Sequence, residues 1–433
     1  MKKIHVTTLG CSKNTVDSEV LMGQLEANDF QIINDPQDAD VLIINTCGFI
    51  QDAKEESIQT IFEALKLKEQ DPAKKVYVAG CLTQRYRKEI EKEIPEVDAV
   101  FGTEEYRAIL NALGKKHAAE DNLHRMRKLS TPRHYAYLKI SEGCDHTCAF
   151  CAIPGIRGAF RSRTMDSLVD ETKKLAENGA REIILISQDT SAYGKDIYGR
   201  GSIVDLVERL AQVDGVEWLR ILYWYPTNFP TEILRLMRDH DKVLPYIDLP
   251  LQHISDKVLR MMRRGETKAS IYKLVETIRA QVPNVALRTT LIVGHPGEGE
   301  REFRELYDFV REIKFDRLGT FTYSDEEGTF AFTLPEKVEP QVAAERQQEI
   351  MELQREISLQ NNRRLVGRKE LVLIDEYHAP SRTYIGRTYR DAPEIDNEVL
   401  ISVKDGLRQV PTGRFVPVKI VDVSEYELYG EFG

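Results

Sequence analysis

The chain holds six cysteines, and they fall into two sets of three. Cys144, Cys148 and Cys151 stand together in CDHTCAFC, whereas Cys11, Cys47 and Cys81 are spread through the first hundred residues in LGC, NTC and AGC. Thiolates are soft ligands suited to iron–sulfur clusters and zinc. Structural zinc takes four ligands, usually as C-x-x-C pairs, and neither set offers a fourth cysteine. His146 lies inside the central loop, one residue from Asp145 and two from Cys148, an awkward position for a fourth zinc ligand. The C-x-x-x-C-x-x-C spacing instead suits three irons of a 4Fe–4S cluster, with the fourth left open. The sequence therefore implies two clusters that each keep a working iron, and a fold that gathers three distant cysteines.

Strand–helix alternation explains how the dispersed set is gathered. HVTT, DVLIIN and KVYVA are short runs rich in β-branched residues, as buried parallel strands require. Residues from Thr15 to Ala27 and from Asp52 to Leu67 show helical spacing between them. This pattern predicts a doubly wound parallel sheet, of α/β class. Each dispersed cysteine follows one of the three runs within about three residues. In an open α/β sheet, the loops at the carboxyl ends of the strands line the ligand crevice. Residues about 35 apart in sequence then meet on one sheet edge.

Residues 1–114 form this first domain, and 115–132 (KKHAAEDNLHRMRKLSTP) read as a polar linker closed by proline. A second α/β region, 133–364, carries strand candidates at YLKI, EIILIS, EWLRIL, YIDL, ALRTTLIV and RLGTFTY, with helices between them. Six strands in a βα series predict a partial or complete parallel barrel with its site at the C-terminal strand ends, and CDHTCAFC follows the first strand. A charged helix without glycine or proline runs from Gln341 to Arg364. Residues 365–433 change to short strands alone (ELVLIDE, YIGRTYR, NEVLISV, FVPVKIVDVS, ELYGEF), which predicts a small all-β barrel.

The chain has no apolar run long enough to cross a membrane, and MKKIHVTTLGC lacks the apolar stretch of a signal peptide. Without a secretory signal, cysteines are expected as ligands in a reducing cytoplasm rather than as disulfides. Net charge is −10, which shifts the expected partner from nucleic acid toward a basic protein. An open iron beside a barrel mouth is placed to chelate the amino and carboxylate groups of S-adenosylmethionine. One electron into the sulfonium then releases methionine and a 5′-deoxyadenosyl radical. Phe150, just before the third cysteine of the loop, is positioned to shield the cluster.

The runs TLGCSKNTVDSE, CGFIQDAKEES, GCDHTCAFCAIPGIRG, QDTSAYG, PLQH and LRTTLIVGHPGE resemble, in order and along the whole chain, those of the radical S-adenosylmethionine methylthiotransferases. That family combines an N-terminal three-cysteine domain, a radical barrel and a C-terminal TRAM β-barrel. The resemblance implies insertion of a methylthio group into an unactivated C–H bond, with two 4Fe–4S clusters and S-adenosylmethionine as cosubstrate. One cosubstrate molecule methylates sulfur and another supplies the radical. By the same resemblance, Cys144, Cys148 and Cys151 are the radical-cluster ligands, and Cys11, Cys47 and Cys81 hold the auxiliary cluster whose open iron carries the sulfur. Gln188 and Asp189 match the place that contacts the cosubstrate's amino group, and Val293 and Gly294 the region against adenine. Arg157, Arg161 and Arg163 are expected to offset the anionic cluster or to hold a carboxylate.

Two features depart from the family pattern. GHPGEGE places His295 where relatives usually carry an aromatic residue and Gly299 where they usually carry threonine. The tail from Arg368 to Gly433 has nine Lys/Arg against twelve Asp/Glu, net −3, where an RNA-gripping module is expected to be basic. The acidic tail, QDTSAYG and TLGCSKN favour the branch that modifies the β-carbon of an aspartate in the twelfth small-subunit ribosomal protein. The expected partners are that basic protein, free or in the assembled ribosome, and an electron donor such as a flavodoxin or ferredoxin, with no membrane. The alternative is a methylthiotransferase acting on a modified adenosine of transfer RNA, which shares all six cysteines. A non-catalytic electron carrier or RNA-binding protein leaves the open coordination positions and the barrel unexplained.

Overall fold

The computed structural model describes residues 1–115, 124–402 and 410–432. Its first part alternates β1 (Lys3–Thr8), α1 (Ser12–Ala27), β2 (Gln31–Ile32), β3 (Val41–Thr46), α2 (Gln51–Gln70), β4 (Lys75–Gly80), α3 (Cys81–Glu93), β5 (Ala99–Val100) and α4 (Tyr106–Ala112). The strands are parallel, in the order β2-β1-β3-β4-β5. β3 (VLIINT) lies in the middle and is buried along its length, as its apolar VLII run favours. Leu21, Leu25, Ile109 and Leu110 cover one face of the sheet, and Ile61, Leu65 and Ile90 the other. The two short edge strands β2 and β5 escape the sequence pattern because two residues show no periodicity.

The central part runs β6 (Tyr135–Lys139), β7 (Ser141–Glu142), α5 (Ile153–Arg157), β8 (Arg161–Ser162), α6 (Met165–Glu177), β9 (Glu182–Ile186), α7 (Lys195–Tyr198), α8 (Ile203–Ala211) and β10 (Trp218–Ile221). It continues through α9 (Ile233–Asp239), β11 (Tyr246–Asp248), α10 (Asp256–Met261), α11 (Lys268–Gln281), β12 (Ala286–Val293), α12 (Glu300–Ile313), β13 (Arg317–Thr322) and α13 (Pro340–Arg363). β6, β9 and β10 pair in parallel, as do β11, β12 and β13, and a parallel Leu219–Val243 bridge joins the two sets. The result is a partial barrel of six strands in sequence order. Alternate residues divide as a pleat demands: Ala136, Leu138, Ile183 and Leu185 meet the outer helices, while Tyr135, Tyr137, Ile184 and Ile186 pack in a separate inner cluster.

The inner cluster includes Val16 and Val20 of α1, so the first domain packs against β6. Residues 116–123 of the predicted linker lie outside the described residues. The part that follows is firmly held: Arg127 donates to Glu19 of α1 at 2.8 Å and to Glu171 of α6 at 2.7 Å, with all three side chains nearly solvent-free. Burial pushes the Glu171 carboxyl up, and Arg163 and Arg127 overcome this, holding it at about 2.

At the C-terminus, β14 (Lys369–His378), β15 (Thr383–Arg387), β16 (Glu398–Ser402), β17 (Phe415–Val423) and β18 (Glu427–Phe432) close a barrel in the order β14-β15-β16-β18-β17. Its β15–β16 connection seals the bottom of the larger barrel through buried ion pairs. Arg387 reaches Glu182 at 2.8 Å, Arg317 reaches Asp391 at 2.9 Å, and Tyr246 donates to Asp396 at 2.6 Å. The bottom is thereby closed, and chemistry is confined to the other end, where all six cysteines lie.

Candidate active site

Cys11 precedes the first turn of α1 after β1, Cys47 directly follows β3, and Cys81 opens α3 after β4. These are three adjacent strands of one parallel sheet, so the dispersed cysteines share its carboxyl edge. A side chain on Gly10, whose φ is +88°, would stand 2.8 Å from Cys47 Cβ and 2.9 Å from its Sγ. Close approach of the first cysteine loop to the second therefore demands glycine at this position. Cys47 and Cys81 are buried while Cys11 is exposed. Burial pushes the Cys81 thiol up to about 12, neighbouring Cys11 and Cys47 add to the rise, and Arg157 opposes it. Cys47 is raised for the same leading reason.

The central three occupy the loop after β7 and are partly exposed. The Cys144 amide donates to Gly158 O at 3.1 Å and that of Cys151 to Cys148 O at 3.1 Å. Between them Ala149 pins the loop, donating to Met262 O at 2.8 Å and accepting from Ala331 N at 2.7 Å. His146 stacks flat on Tyr225 with centroids 3.6 Å apart, and its Nε2 lies 2.8 Å from Asp189 Oδ2. Tyr225 Oη stands 3.7 Å from Cys148 Sγ, and Arg264 covers the ring's other side at 4.3 Å. Burial raises Cys144 to about 11 and Cys151 to about 12, with the neighbouring thiols adding to both.

Arg157 joins the two sets. Its Nη2 donates to Cys81 Sγ at 3.3 Å and also to Asn14 Oδ1, while Nη1 donates to Asp17 at 2.6 Å and Glu142 at 3.2 Å. Lys139 Nζ completes the cluster at 2.6 Å from Glu142 and 3.2 Å from Glu104. Burial pushes the Asp17 carboxyl up, but Lys139 and Arg157 overcome it and hold Asp17 well below the usual carboxylate range. Asp17, Glu104 and Glu142 bring carboxylate oxygens within 4.8 Å of one another, and the Lys139 ammonium occupies that space. Glu142 Oε1 in turn accepts from Gln188 Nε2 at 3.1 Å. A continuous polar path thus runs from Cys81 through Arg157 and Glu142 to the loop after β9.

The other residues singled out in the sequence have these places. Arg161 is an exposed partner of Glu104, and Arg163 turns away to Glu171 and the Lys139 carbonyl. Asp189 is spent within the protein, accepting from Ser191 N and meeting His146, whereas Gln188 keeps a buried Oε1 without a protein partner. Val293 packs in the outer core, and Gly294, at φ +76°, lies where a Cβ would meet Ala343 of α13 at 2.6 Å. Phe150 is half-buried beside the third cysteine. His295 is fully buried, edge-on to Tyr323 at 5.2 Å, and burial lowers it to about 4. Asp17, Lys139 and Glu142 carry no signal in the sequence as a group, since Asp17 joins Lys139 and Arg157 only through the meeting of two domains.

The donor chemistry fits iron–sulfur clusters. Tetrahedral zinc–thiolate bonds of about 2.3 Å place sulfurs under about 4 Å apart. Among the described residues, neither cysteine set has its three sulfurs within 4.8 Å of one another, so both are wider than a mononuclear zinc site. Each set supplies three thiols, as a 4Fe–4S cluster with one open iron requires. Gln188 Oε1 offers an unused acceptor at the barrel mouth.

Comparison with known proteins agrees with this geometry. Three family models match in order: Uncharacterized protein family UPF0004 over residues 3–102, the Radical SAM superfamily over 138–310 and the TRAM domain over 366–432. The chain is 47% identical over 429 residues to the ribosomal protein uS12 methylthiotransferase RimO of Christiangramia forsetii, covering 99% of this chain and 94% of that one. It is 48% identical to the RimO of Flavobacterium psychrophilum, covering 99% and 98% of the two chains. The chain belongs to the RimO methylthiotransferase family. As a RimO-family radical enzyme it uses S-adenosylmethionine and 4Fe–4S clusters. Solved structures share the fold at low identity. The radical S-adenosylmethionine methyltransferase TsrM from Kitasatospora setae, with cobalamin and a [4Fe-4S] cluster bound, aligns at TM-score 0.54 and 14% identity over 74% of this chain and 75% of that one. The cobalamin-dependent radical enzyme OxsB aligns at TM-score 0.52 and 12% identity over 81% of this chain and 56% of that one. Among the described residues of this RimO-family chain, no helix is long and apolar enough to cross a membrane.

Proposed function

We propose that this chain inserts a methylthio group at the β-carbon of an aspartate in ribosomal protein uS12, with its two cysteine sets as separate cluster sites. The observation that carries the two-site reading is the Arg157 bridge, which ties Cys81 of the first domain to the wall of the barrel mouth. Cys144, Cys148 and Cys151 would hold the cluster that works with S-adenosylmethionine, and Cys11, Cys47 and Cys81 the auxiliary cluster. When bound, the first cluster and cosubstrate supply a 5′-deoxyadenosyl radical, and the second supplies the sulfur to be transferred.

The chain's own residues set the conditions for that chemistry. Ala149 fixes the central loop to the segments around Met262 and Ala331, so its three thiols keep their spacing. Tyr225, held between His146 and Arg264, shields Cys148, and Phe150 limits water beside Cys151. Such burial and hydrogen bonding tune a cluster's potential. Arg157 keeps a positive charge on the auxiliary thiols, where a cation offsets an anionic cluster. Gln188 Oε1 is available to the cosubstrate's ammonium, with Asp189 orienting His146 from behind. The acidic C-terminal module favours a basic protein partner, and the names of the relatives favour uS12 over transfer RNA. The working place is then the cytoplasm, on free uS12 or the assembled small subunit, with a flavodoxin or ferredoxin as electron donor.

Mass spectrometry of ribosomal proteins and transfer RNA from cells with and without this gene tests the reading. The methylthio increment should vanish from the uS12 aspartate. Its loss from a transfer-RNA adenosine instead, with uS12 unchanged, would overturn the substrate assignment.

A further inference from the structure

Lys13 is 7% exposed, and its ammonium sits 3.0 Å from the centroid of the Tyr223 ring. Every other buried lysine or arginine among the described residues has a carboxylate within 4.0 Å, as Lys139 has Asp17 and Arg220 has Glu182. Lys13 has none among the described residues. An ammonium taken out of water is costly unless it is paired, and a single tyrosine face offsets that cost only in part. A buried cation of this kind awaits an anion.

Its position says which anion. Lys13 stands two residues after Cys11 in the first turn of α1, yet it reaches across the domain boundary to Tyr223, just beyond the carboxyl end of β10. Tyr223 is tied to the barrel mouth: its carbonyl accepts from Thr190 N at 3.0 Å and its amide donates to Asp248 at 3.0 Å. The ammonium therefore joins the loop of Cys11 to the barrel mouth at the end of β10, whose neighbour β9 leads into Gln188. Ser12, its neighbour, also keeps a buried hydroxyl without a partner.

We infer that Lys13, seated on Tyr223, grips the side-chain carboxylate of the target aspartate and so selects aspartate as the residue modified. This rests on the proposed reading of the substrate. The carboxylate is one bond from the β-carbon, so holding it fixes the C–H bond that must be broken between the two sites. A neutral amide of the same shape lacks the charge that the buried ammonium requires.

The test uses reconstituted enzyme and two peptides spanning the uS12 target, one with aspartate and one with asparagine at that position. Wild-type turnover of the aspartate peptide checks the substrate reading independently of any Lys13 variant. Wild-type enzyme should bind and modify the aspartate peptide at least about tenfold better, the equivalent of one charge-assisted contact. Lys13→Met, which keeps the apolar stem, should erase that preference by weakening the aspartate peptide alone. Lys13→Arg should retain it. Equal weakening of both peptides by Lys13→Met would mark a structural role and overturn the inference, and so would a wild-type enzyme indifferent to the two peptides. Loss of S-adenosylmethionine affinity with the peptide preference intact would place the ammonium on the cosubstrate's carboxylate and overturn it equally. The wild-type comparison stays decisive even if the variants fold poorly.

Discussion

The two cysteine sets reach similar donor arrangements by opposite routes. The central set is local: eight residues of one loop hold all three thiols, and a few backbone hydrogen bonds, chiefly at Ala149, fix the loop on the barrel rim. The N-terminal set is global, because its thiols converge only when β1, β3 and β4 pair in register. Each set also has its own arginine. Arg264 lies against both Tyr225 and Cys148, as Arg157 lies against Cys81. A loop-borne site can be formed and emptied without much consequence for the fold. A sheet-borne site is coupled to the packing of its domain, and here also to the barrel through Asp17 and Glu142.

Removing one thiol from each set should give the largest effects and separate the two tasks. Wild-type protein reconstituted without oxygen should hold about eight irons, four for each cluster. Cys148→Ala should abolish 5′-deoxyadenosine formation and leave about four irons. Cys47→Ala should also leave about four irons, yet stop methylthio transfer while the deoxyadenosine signal persists. Iron analysis with product chromatography checks both. Transfer at wild-type rate in Cys47→Ala would reduce the N-terminal set to a structural role.

Arg157→Gln comes next, because it cuts the contact between the sets rather than a ligand. Asp17 and Glu142 would be left with Lys139 as their one shared cation, and breaking a buried ion pair costs about 3–5 kcal/mol. Denaturant unfolding should show that loss. The midpoint potential of the auxiliary cluster should fall, since a cation beside it no longer favours the more negative reduced state. A fall confined to the N-terminal centre sharpens the comparison, and an equal fall in both centres breaks it.

How far the sequence shows these sites follows from the same contrast. The central loop is legible in its spacing because local geometry is written in consecutive residues. The N-terminal set is legible at one remove, through strand runs that each end at a cysteine, and the six barrel strands likewise appear as apolar runs. What connects the sites is not legible. Lys139 and Glu142 sit in two different strands and Asp17 in a helix, and the meeting of all three depends on how two domains dock. IRGAFRSR presents three arginines as equivalent, yet α5 ends at Arg157 and the chain then turns, sending one inward, one to solvent and one behind β6. Asp189 carries a family expectation of cosubstrate contact, and its carboxylate also caps Ser191 and meets His146, contacts that no spacing announces.

Gly10→Ala should be milder and one-sided. The added methyl would meet Cys47 at 2.8 Å in a backbone conformation that disfavours side chains. Crowding and strain together amount to about 2 kcal/mol. Cys47 would have to shift, so iron loading of the N-terminal set should drop while the central set keeps its iron. Mössbauer or electron paramagnetic resonance spectra of the two centres would tell them apart. Uniform loss of iron would mean that the two sets are coupled more tightly than the Arg157 contact alone provides.

Arg161→Ala should have the smallest effect, and it tests whether the link between the sets is one residue or a basic surface. Arg161 lies four residues beyond Arg157, but its side chain is 65% exposed and pairs with Glu104 at 3.0 Å. Exposed pairs contribute about 0–1 kcal/mol, because solvent and salt screen them and two long side chains lose freedom in forming them. Glu104 also retains Lys139 at 3.2 Å, so no carboxylate is stranded by the change. Thermal unfolding should move by no more than that small amount, and the potential of the auxiliary cluster should stay where it is. A variant as damaged as Arg157→Gln would show that the whole IRGAFRSR run, rather than a single buried guanidinium, carries the charge that the sheet-borne site needs.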